Sequence, residues 1–217
     1  AVEAYDFYTA QIAACDVQLE EYMKTLESHE PVPLQTRRRK GRPRPYQPQF
    51  DQVGSLQRIA GVDLTRIDGI DAVTAQTVLS EVGWDLSRFP TEKHFCSWLG
   101  LCPDNRITGG KIVRTGTRKV KNRAAAALRM AAQSLHRSQS ALGAYYRRMR
   151  ARLGAPKAIT ATANKLARII YRMLTKGEHY VDQGAEIYEQ KYRARAINNL
   201  KRQAHRLGLE LLDPAPQ

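Results

Sequence analysis

The stretch of sequence that decides the fold is Arg123-Ala124-Ala125-Ala126-Ala127-Leu128. Alanine and leucine are among the residues with the highest helix propensity, so this run predicts a helix. Thr117 is a suitable N-cap for it, and the pattern continues to about Arg137. Because no segment shows the strict apolar and polar alternation of a half-buried strand, the sequence predicts an all-α fold.

Six more helices are predicted on either side of this run from their start and stop residues. Thr91 is a suitable N-cap, Pro156 suits a first turn, and Gly83 and Gly177 follow predicted helix ends. The six predicted helices span about 51–60, 71–82, 92–99, 139–153, 156–176 and 185–209. Together with the alanine-rich helix they define a compact multi-helix domain over residues 50–212.

Residues 1–30 predict one long helix of the coiled-coil type. Apolar residues recur at alternating spacings of three and four along it, which is the pattern of an a/d seam: Tyr5, Tyr8, Ile12, Cys15, Leu19, Tyr22 and Leu26. The partner of this seam is a second copy, another part of the protein or the chain's own C-terminal helix. An amphipathic helix packed on its own domain explains the pattern equally well. We expect a homo-oligomer formed through this helix.

Residues 31–49 form a proline-rich basic arm between the helix and the domain. Prolines and repulsion between like charges keep such a segment extended. Its Lys-Gly-Arg-Pro-Arg-Pro core resembles minor-groove arms of the AT-hook type, in which arginines enter a narrow, negative groove. A general phosphate-binding arm is the broader interpretation, and a plain spacer is the alternative. Its candidate nucleic-acid contacts are Arg37, Arg38, Arg39, Lys40, Arg42 and Arg44.

Charge gives the clearest indication of a partner. The chain of 217 residues has a formal net charge of +14, and residues 105–177 contain 18 bases and no acid. A surface this basic favours a polyanion, most simply DNA or RNA. No apolar stretch is long enough to cross a membrane, and three irregularly spaced cysteines fit a reducing compartment. The expected location is therefore the cytoplasm.

The stretch Ile67-Asp68-Gly69-Ile70-Asp71 resembles the turn of a helix-hairpin-helix element. In such a turn the free N–H groups at a helix start bind a phosphate oxygen. Gly69 permits the turn and Ile70 anchors it, which makes both candidate nucleic-acid-binding residues. Asp71 replaces the usual second glycine, and its charge opposes phosphate binding. A purely structural turn is the alternative.

The segment from Arg106 to Arg123 is the second candidate site. Thr108-Gly109-Gly110-Lys111 combines a hydroxyl, two glycines and a cation, which suits a phosphodiester. It lacks the spacing of a Walker P-loop. A simple phosphate clamp explains these residues as well as a catalytic role does. The candidate contacts are Arg106, Gly109, Gly110, Lys111, Arg118, Lys119, Lys121, Asn122 and Arg123.

Several short motifs together resemble the C-terminal domain of DEDD-type insertion-sequence transposases, the IS-one-ten group of RNA-guided DNA recombinases. They are Gly61-Val62-Asp63-Leu64-Thr65, Ser80-Glu81-Val82-Gly83, Phe89-Pro90-Thr91, Phe95-Cys96-Ser97-Trp98-Leu99-Gly100-Leu101, Gly109-Gly110-Lys111, Lys121-Asn122-Arg123-Ala124, Tyr145-Tyr146-Arg147 and Tyr180-Val181-Asp182. The resemblance covers about residues 50–195. It implies DNA and guide RNA as partners, and a location close to the nucleoid of a bacterium or archaeon.

The resemblance also implies a catalytic serine just before the glycine pair, where this sequence has Thr108. A threonine hydroxyl is restricted by its β-branch and needs a base or a metal to lose its proton. A slow nucleophile, a natural variant and an inactive position all remain open. The family places four Mg²⁺-binding acids in an RuvC-like domain that we do not find here. We therefore expect a fragment of a longer protein, with no cofactor in this segment and no activity by itself.

Two other functions compete with the recombinase interpretation. The first is a non-catalytic helix-hairpin-helix module that only binds nucleic acid. The second is an assembly module that acts through the heptad helix. A zinc site is disfavoured, because His94, Cys96 and Cys102 lack paired metal-ligand spacing. We therefore predict no metal ligands in this segment.

Overall fold

A computed structural model describes residues 2–26, 48 and 50–209. The arm residues Arg37, Arg38, Arg39, Lys40, Arg42 and Arg44 lie outside these described residues. The described chain forms eight α-helices and one two-stranded hairpin, which confirms the all-α class. The elements are α1 Val2–Thr25, α2 Gln52–Ala60, α3 Ala72–Val82, α4 Glu92–Trp98, β1 Arg106–Thr108, β2 Lys111–Arg114, α5 Arg123–Ser134, α6 Ala141–Leu153, α7 Ala155–Lys176 and α8 Gly184–Arg206.

Side-chain caps fix where most of the inner helices begin. The carboxylate of Asp71 accepts a hydrogen bond from Thr74 N at 2.8 Å, which starts α3. Asn122 Oδ1 accepts from Ala125 N at 2.9 Å and starts α5. Each cap satisfies a backbone N–H that has no partner inside its own helix. The alanine-rich helix therefore begins at Arg123 and not after Thr117, and residues 117–122 lead into it without helical structure.

The core is built around α7 and α5. Helix α7 packs against α4, α5 and α6, while α5 also packs against α3. The alanine run of α5 lets its neighbours approach closely, since Ala124, Ala125 and Ala132 are fully buried. Leu166 and Ile170 of α7 are fully buried as well. Helix α4 contributes Phe95, which is fully buried, whereas Trp98 at its end is 37% exposed.

Helix α1 is confirmed, but it packs through only its last turns. Met23 is buried and Leu19 is half-buried against the core. The guanidinium of Arg58 in α2 donates to the carbonyl oxygens of Met23 and Leu26 at the end of α1. The start of the predicted seam is exposed, with Tyr5 at 61%. The described residues contain no second helix along that part of the seam, so the coiled coil stays a prediction.

The sequence Tyr180-Val181-Asp182 holds the start of α8 against the start of α6. Asp182 Oδ1 accepts a hydrogen bond from Ala141 N at 3.0 Å, and Ala185 N donates to the carbonyl of Gln139 at 3.2 Å. Ser140 caps the same end of α6 by accepting from Gly143 N. These bonds fix the first half of α8 beside α6.

Candidate nucleic-acid interface

The candidate segment around Thr108 forms a β-hairpin. Gly109 and Gly110 form its two-residue turn with φ of +57° and +74°, and Thr108 pairs with Lys111 across it. Two positive φ angles define a type I′ turn, which glycine adopts without a steric penalty. A Cβ atom at either glycine would meet no atom within 4 Å, so backbone conformation alone requires glycine there. The expectation of no strand is therefore wrong for residues 106–114.

The hairpin stands clear of the core. All residues from 103 to 116 are exposed, including the cross-strand pair Ile107 and Ile112 at 63% and 58%. Arg106 pairs with Arg114, with a register shift that leaves Val113 as an extra residue in β2. A hydrogen bond of 2.7 Å from Asp104 N to the Gly116 carbonyl closes the base of the hairpin. The segment is thus a projecting β-ribbon and not a closed pocket.

Seven cations line this ribbon and the segment that follows it. None of them forms an ion pair with a described residue, although arginine and lysine elsewhere in the acid-free stretch do. Arg168 and Arg172 pair with Glu92, Arg148 pairs with Glu189, and Lys176 lies 3.8 Å from Glu178. The seven are Arg106, Lys111, Arg114, Arg118, Lys119, Lys121 and Arg123. The acid-free stretch thus holds 14 cations without an ion pair to a described residue, and half of them lie on the hairpin and the segment that follows it.

Thr108 is exposed at the end of β1, beside the turn. Its hydroxyl has no hydrogen-bond partner among the described residues, and these residues contain no group of histidine, cysteine and acidic side chains able to hold a metal. A hydroxyl is a weak nucleophile until a base or a metal ion removes its proton. Any chemistry at Thr108 therefore requires an activating group from outside the described part of the chain.

The turn at Gly69 lies apart from the hairpin. Ile70 is fully buried, and Gly69 (φ +89°) packs on the carbonyl of Ala131 near the end of α5. The hairpin instead leads into the start of α5 at Arg123. That end of the helix is eight residues from Ala131, or roughly 12 Å along the helix axis. The backbone N–H group of Thr74 already donates to the carboxylate of Asp71, so it is not available to a phosphate. The residues before the turn, Leu64–Arg66, form a short 3₁₀ turn and not an α-helix, so the helix-hairpin-helix element stays a prediction.

Sequence reasoning missed a group of side chains along α7. Lys165, Arg168 and Arg172 lie at spacings of three and four, on one face of α7 beside Tyr145 of α6. That spacing was visible in the sequence as a cationic stripe. Glu92 bonds the two arginines, and the hydrogen bond from Arg168 in particular holds the pKa of Glu92 below its usual value.

Part of the chain is similar to known proteins. Residues 61–147, which include the hairpin and α5, match the model of the Transposase IS116/IS110/IS902 family. A protein of Sinorhizobium fredii named "Putative transposase y4pF/y4sB" is 32% identical over 130 residues, which are 54% of this chain and 32% of that protein. The chain thus spans about a third of the length of this curated relative. No solved structure matches the chain.

Proposed function

We propose, from the transposase match over residues 61–147, that this chain is the part of an insertion-sequence transposase that binds DNA and supplies a hydroxyl nucleophile. The observation that carries the proposal is the projecting hairpin, which together with the segment that follows it carries seven cations that no described carboxylate neutralises. Such cations bind backbone phosphates and release the counterions condensed on DNA. In the register of the ribbon Thr108 pairs directly with Lys111, and Arg106 lies two residues earlier on the same strand.

The proposed reaction is a transesterification at phosphorus. Thr108 Oγ1 attacks a backbone phosphate, a new P–O bond forms, and the bond from phosphorus to one sugar oxygen breaks. The proton lost from the threonine hydroxyl goes to a base, and the leaving sugar oxygen takes up a proton to become a free hydroxyl. Neighbouring cations stabilise the charge that develops on the phosphate oxygens. The covalent phosphothreonine link preserves the energy of the phosphodiester for rejoining.

Two further parts of the proposal rest on the family resemblance, and a third rests on the exposed seam of α1. A guide RNA is the second nucleic-acid partner. Mg²⁺ held by acids of an RuvC-like domain outside the described residues would help the threonine hydroxyl to lose its proton. The exposed seam of α1, from Tyr5 to Ile12, pairs with a second copy to form a homo-oligomer.

The described part of the chain contains no helix that is both long and apolar enough to cross a membrane.

DNA binding is tested first, by the salt dependence of affinity. Arg106→Gln with Arg114→Gln should make the plot of log affinity against log salt shallower by about 2 for duplex DNA. The matched control replaces two exposed cations away from the hairpin, Arg137→Gln with Lys157→Gln. An equal loss of slope in both variants would mean that the hairpin has no special role. A wild-type affinity that is independent of salt would exclude DNA binding through phosphate contacts altogether.

The nucleophile is tested by covalent capture of nicked suicide DNA, using the full-length transposase with Mg²⁺. We expect an adduct with the wild type, loss of the adduct in Thr108→Ala, and an adduct at least as abundant in Thr108→Ser. Salt-dependent DNA binding should be the same in all three proteins. An adduct that persists in Thr108→Ala places the nucleophile elsewhere. Absence of any adduct, with binding intact, favours a module that only binds nucleic acid.

A further inference from the structure

A groove follows the outer face of α7. It has a volume of about 340 Å³, and its lining includes Tyr145, Asn164, Lys165, Arg168 and Arg172. A second cavity of about 210 Å³ adjoins it towards α8 and shares Lys165 and Ile169. Lys165 thus lies where the two cavities meet. All of the charged lining residues lie outside the segment that matches the transposase family.

Lys165 has no anionic partner in this groove. Its Nζ lies 4.2 Å from the centre of the Tyr145 ring and 5.3 Å from that of Tyr188. No described residue forms an ion pair or a hydrogen bond with this ammonium, although the side chain is half-buried. Burial, and then the nearby charges of Arg195 and Arg168, lower the pKa of Lys165. An aromatic face attracts a cation less strongly than an anion does in such surroundings.

The rim of the groove is also rich in positive charge. Arg168 Nε donates to Glu92 Oε1 at 2.8 Å, and Arg172 Nε donates to Glu92 Oε2 at 3.1 Å. One carboxylate therefore serves two guanidinium groups, and about half of each arginine side chain remains exposed. Burial raises the pKa of Tyr145, so its hydroxyl stays protonated at neutral pH and can donate a hydrogen bond. With Lys165 included, the groove holds three cations against the one carboxylate of Glu92, which leaves two positive charges in excess.

We propose that this groove binds a backbone phosphate of an unpaired nucleic-acid strand, with Lys165 as its central ligand and Arg168 and Arg172 at its rim. The identity of the polyanion rests on the proposed function, whereas the anion site rests on the groove itself. Guanidinium forks and an ammonium are the usual partners of phosphate oxygens. Single strands are commonly bound by a cationic groove combined with aromatic side chains. The site is a second contact, separate from the hairpin.

Glu92 is the internal competitor of this site. Its carboxylate holds both rim arginines in the absence of a ligand. A phosphate entering the groove must share or displace those two ion pairs. Removing the carboxylate should therefore strengthen binding, whereas removing the Lys165 ammonium should weaken it. Two substitutions with opposite effects on affinity give the proposal a test that general loss of folding cannot imitate.

The test measures binding of hexanucleotides of single-stranded DNA and RNA by anisotropy at several salt concentrations. Lys165→Met should make the salt slope shallower by about 0.7, the value for one contact with a single strand. Lys157→Met, an exposed lysine earlier on the same helix, is the matched control and should leave the slope unchanged. Glu92→Gln should raise affinity several-fold. Equal effects on both strands indicate a phosphate contact common to them, and an effect on RNA alone indicates that the contact also reads the 2′-hydroxyl.

Two results would overturn the proposal. One is a salt slope in Lys165→Met equal to that of the wild type. The other is tighter binding of an acidic peptide than of either hexanucleotide, which would make the groove a protein-docking site. If Lys165→Met has no effect while the Arg106 and Arg114 double variant lowers the slope, only the groove proposal fails. If Lys165→Met lowers the slope and the double variant does not, the groove proposal holds and the hairpin is not the DNA-binding site of the proposed function.

A direct measurement covers the case in which the lysine variant does not fold. The Lys165 ε-carbon, labelled with ¹³C, reports the charge of the ammonium by NMR. Adding the DNA hexanucleotide to the wild type should raise the pKa of Lys165, because a bound phosphate stabilises the charged form. The Lys157 signal serves as the internal reference. An unchanged Lys165 titration in the presence of saturating hexanucleotide contradicts the proposal.

Discussion

The backbone of Gly69 lies against the carbonyl oxygen of Ala131, so closely that a Cβ atom at position 69 would be 2.8 Å from that oxygen. The same Cβ would lie 3.1–3.2 Å from side-chain atoms of Leu135. In a helix-hairpin-helix element the corresponding glycine lets the backbone approach DNA. Here the close approach is to α5 of the same chain, so glycine is required for packing.

Gly69→Ala is therefore expected to destabilise the domain by about 2–4 kcal/mol, since it combines a positive φ with a clash against backbone. Gly177→Ala is the control, because Gly177 is left-handed (φ +64°, ψ +15°) with open space around its Cβ position. We expect it to cost only about 1 kcal/mol. Denaturant unfolding measures both. Equal losses in the two variants would contradict the packing role of Gly69.

The helices were predictable from sequence because capping and terminating residues act locally. Helix α3 begins after its N-cap Asp71 and ends before Gly83, and α7 ends at Gly177 in the left-handed conformation, as local chemistry dictates. The start of α5 was misplaced because Thr117 and Asn122 are both acceptable N-caps. The choice between them depends on the bridge that pairs Thr117 with Pro103, which is a tertiary contact.

The hairpin was missed for a different reason. Its strands are only three and four residues long and fully exposed, so they lack the apolar alternation that marks a half-buried strand. A local signal was nevertheless present, because a Gly-Gly pair between Ile107 and Ile112 is typical of a two-residue hairpin turn. The basic character of the site was visible in composition. Which cations are neutralised depends on Glu92 and Glu189, which are distant in sequence.

The ion pairs of Glu92 should make stability depend on pH in the acid range. The pKa of Glu92 is lowered, first by its hydrogen bond from Arg168, so the folded state favours the carboxylate. This contribution is fully present above the usual glutamate pKa of 4.5 and is lost as pH falls through the lower folded-state value. Glu92→Gln should cost about 1 kcal/mol at pH 7, since partly exposed pairs contribute little.

Thermal unfolding from pH 7 to pH 3 tests this dependence. The difference between wild type and Glu92→Gln should shrink below about pH 4.5. Glu186→Gln, which removes an exposed carboxylate in the first turn of α8, should show a much smaller difference throughout. A difference between wild type and Glu92→Gln that stays constant down to pH 3 would show that packing and not charge is lost.

Two of the three thiols, Cys15 and Cys96, should react at very different rates. Cys96 is buried, and burial raises its pKa to about 12, whereas Cys15 is exposed on α1. Because the thiolate is the reactive form, alkylation of Cys96 at pH 8 should be at least about 10³-fold slower than that of Cys15. Mass spectrometry after timed iodoacetamide treatment measures both rates, with denatured protein as the control. Comparable rates in the folded protein would contradict the burial of Cys96 under α7.

The anion groove should carry a cost in stability that Lys165→Met removes. Because the pKa of Lys165 is lowered, the folded protein holds this proton less tightly than the unfolded chain does. Stability therefore rises with pH as Lys165 loses its proton in the folded state, and it levels off above the pKa of an unfolded lysine. Methionine is uncharged and flexible, so it can fill the same apolar space.

At pH 7 we expect Lys165→Met to unfold at a Tm higher by roughly 2–4 °C, which corresponds to about 1 kcal/mol for a chain of this size. The advantage should decrease as pH rises towards about 10.5, where the wild-type lysine becomes neutral in both states. Lys157→Met should show neither effect, because Lys157 is exposed. A variant less stable than the wild type at pH 7 would mean that the contacts with Tyr145 and Tyr188 outweigh desolvation. The groove would then be a structural cation–π cluster that stabilises α6 and α8 against α7.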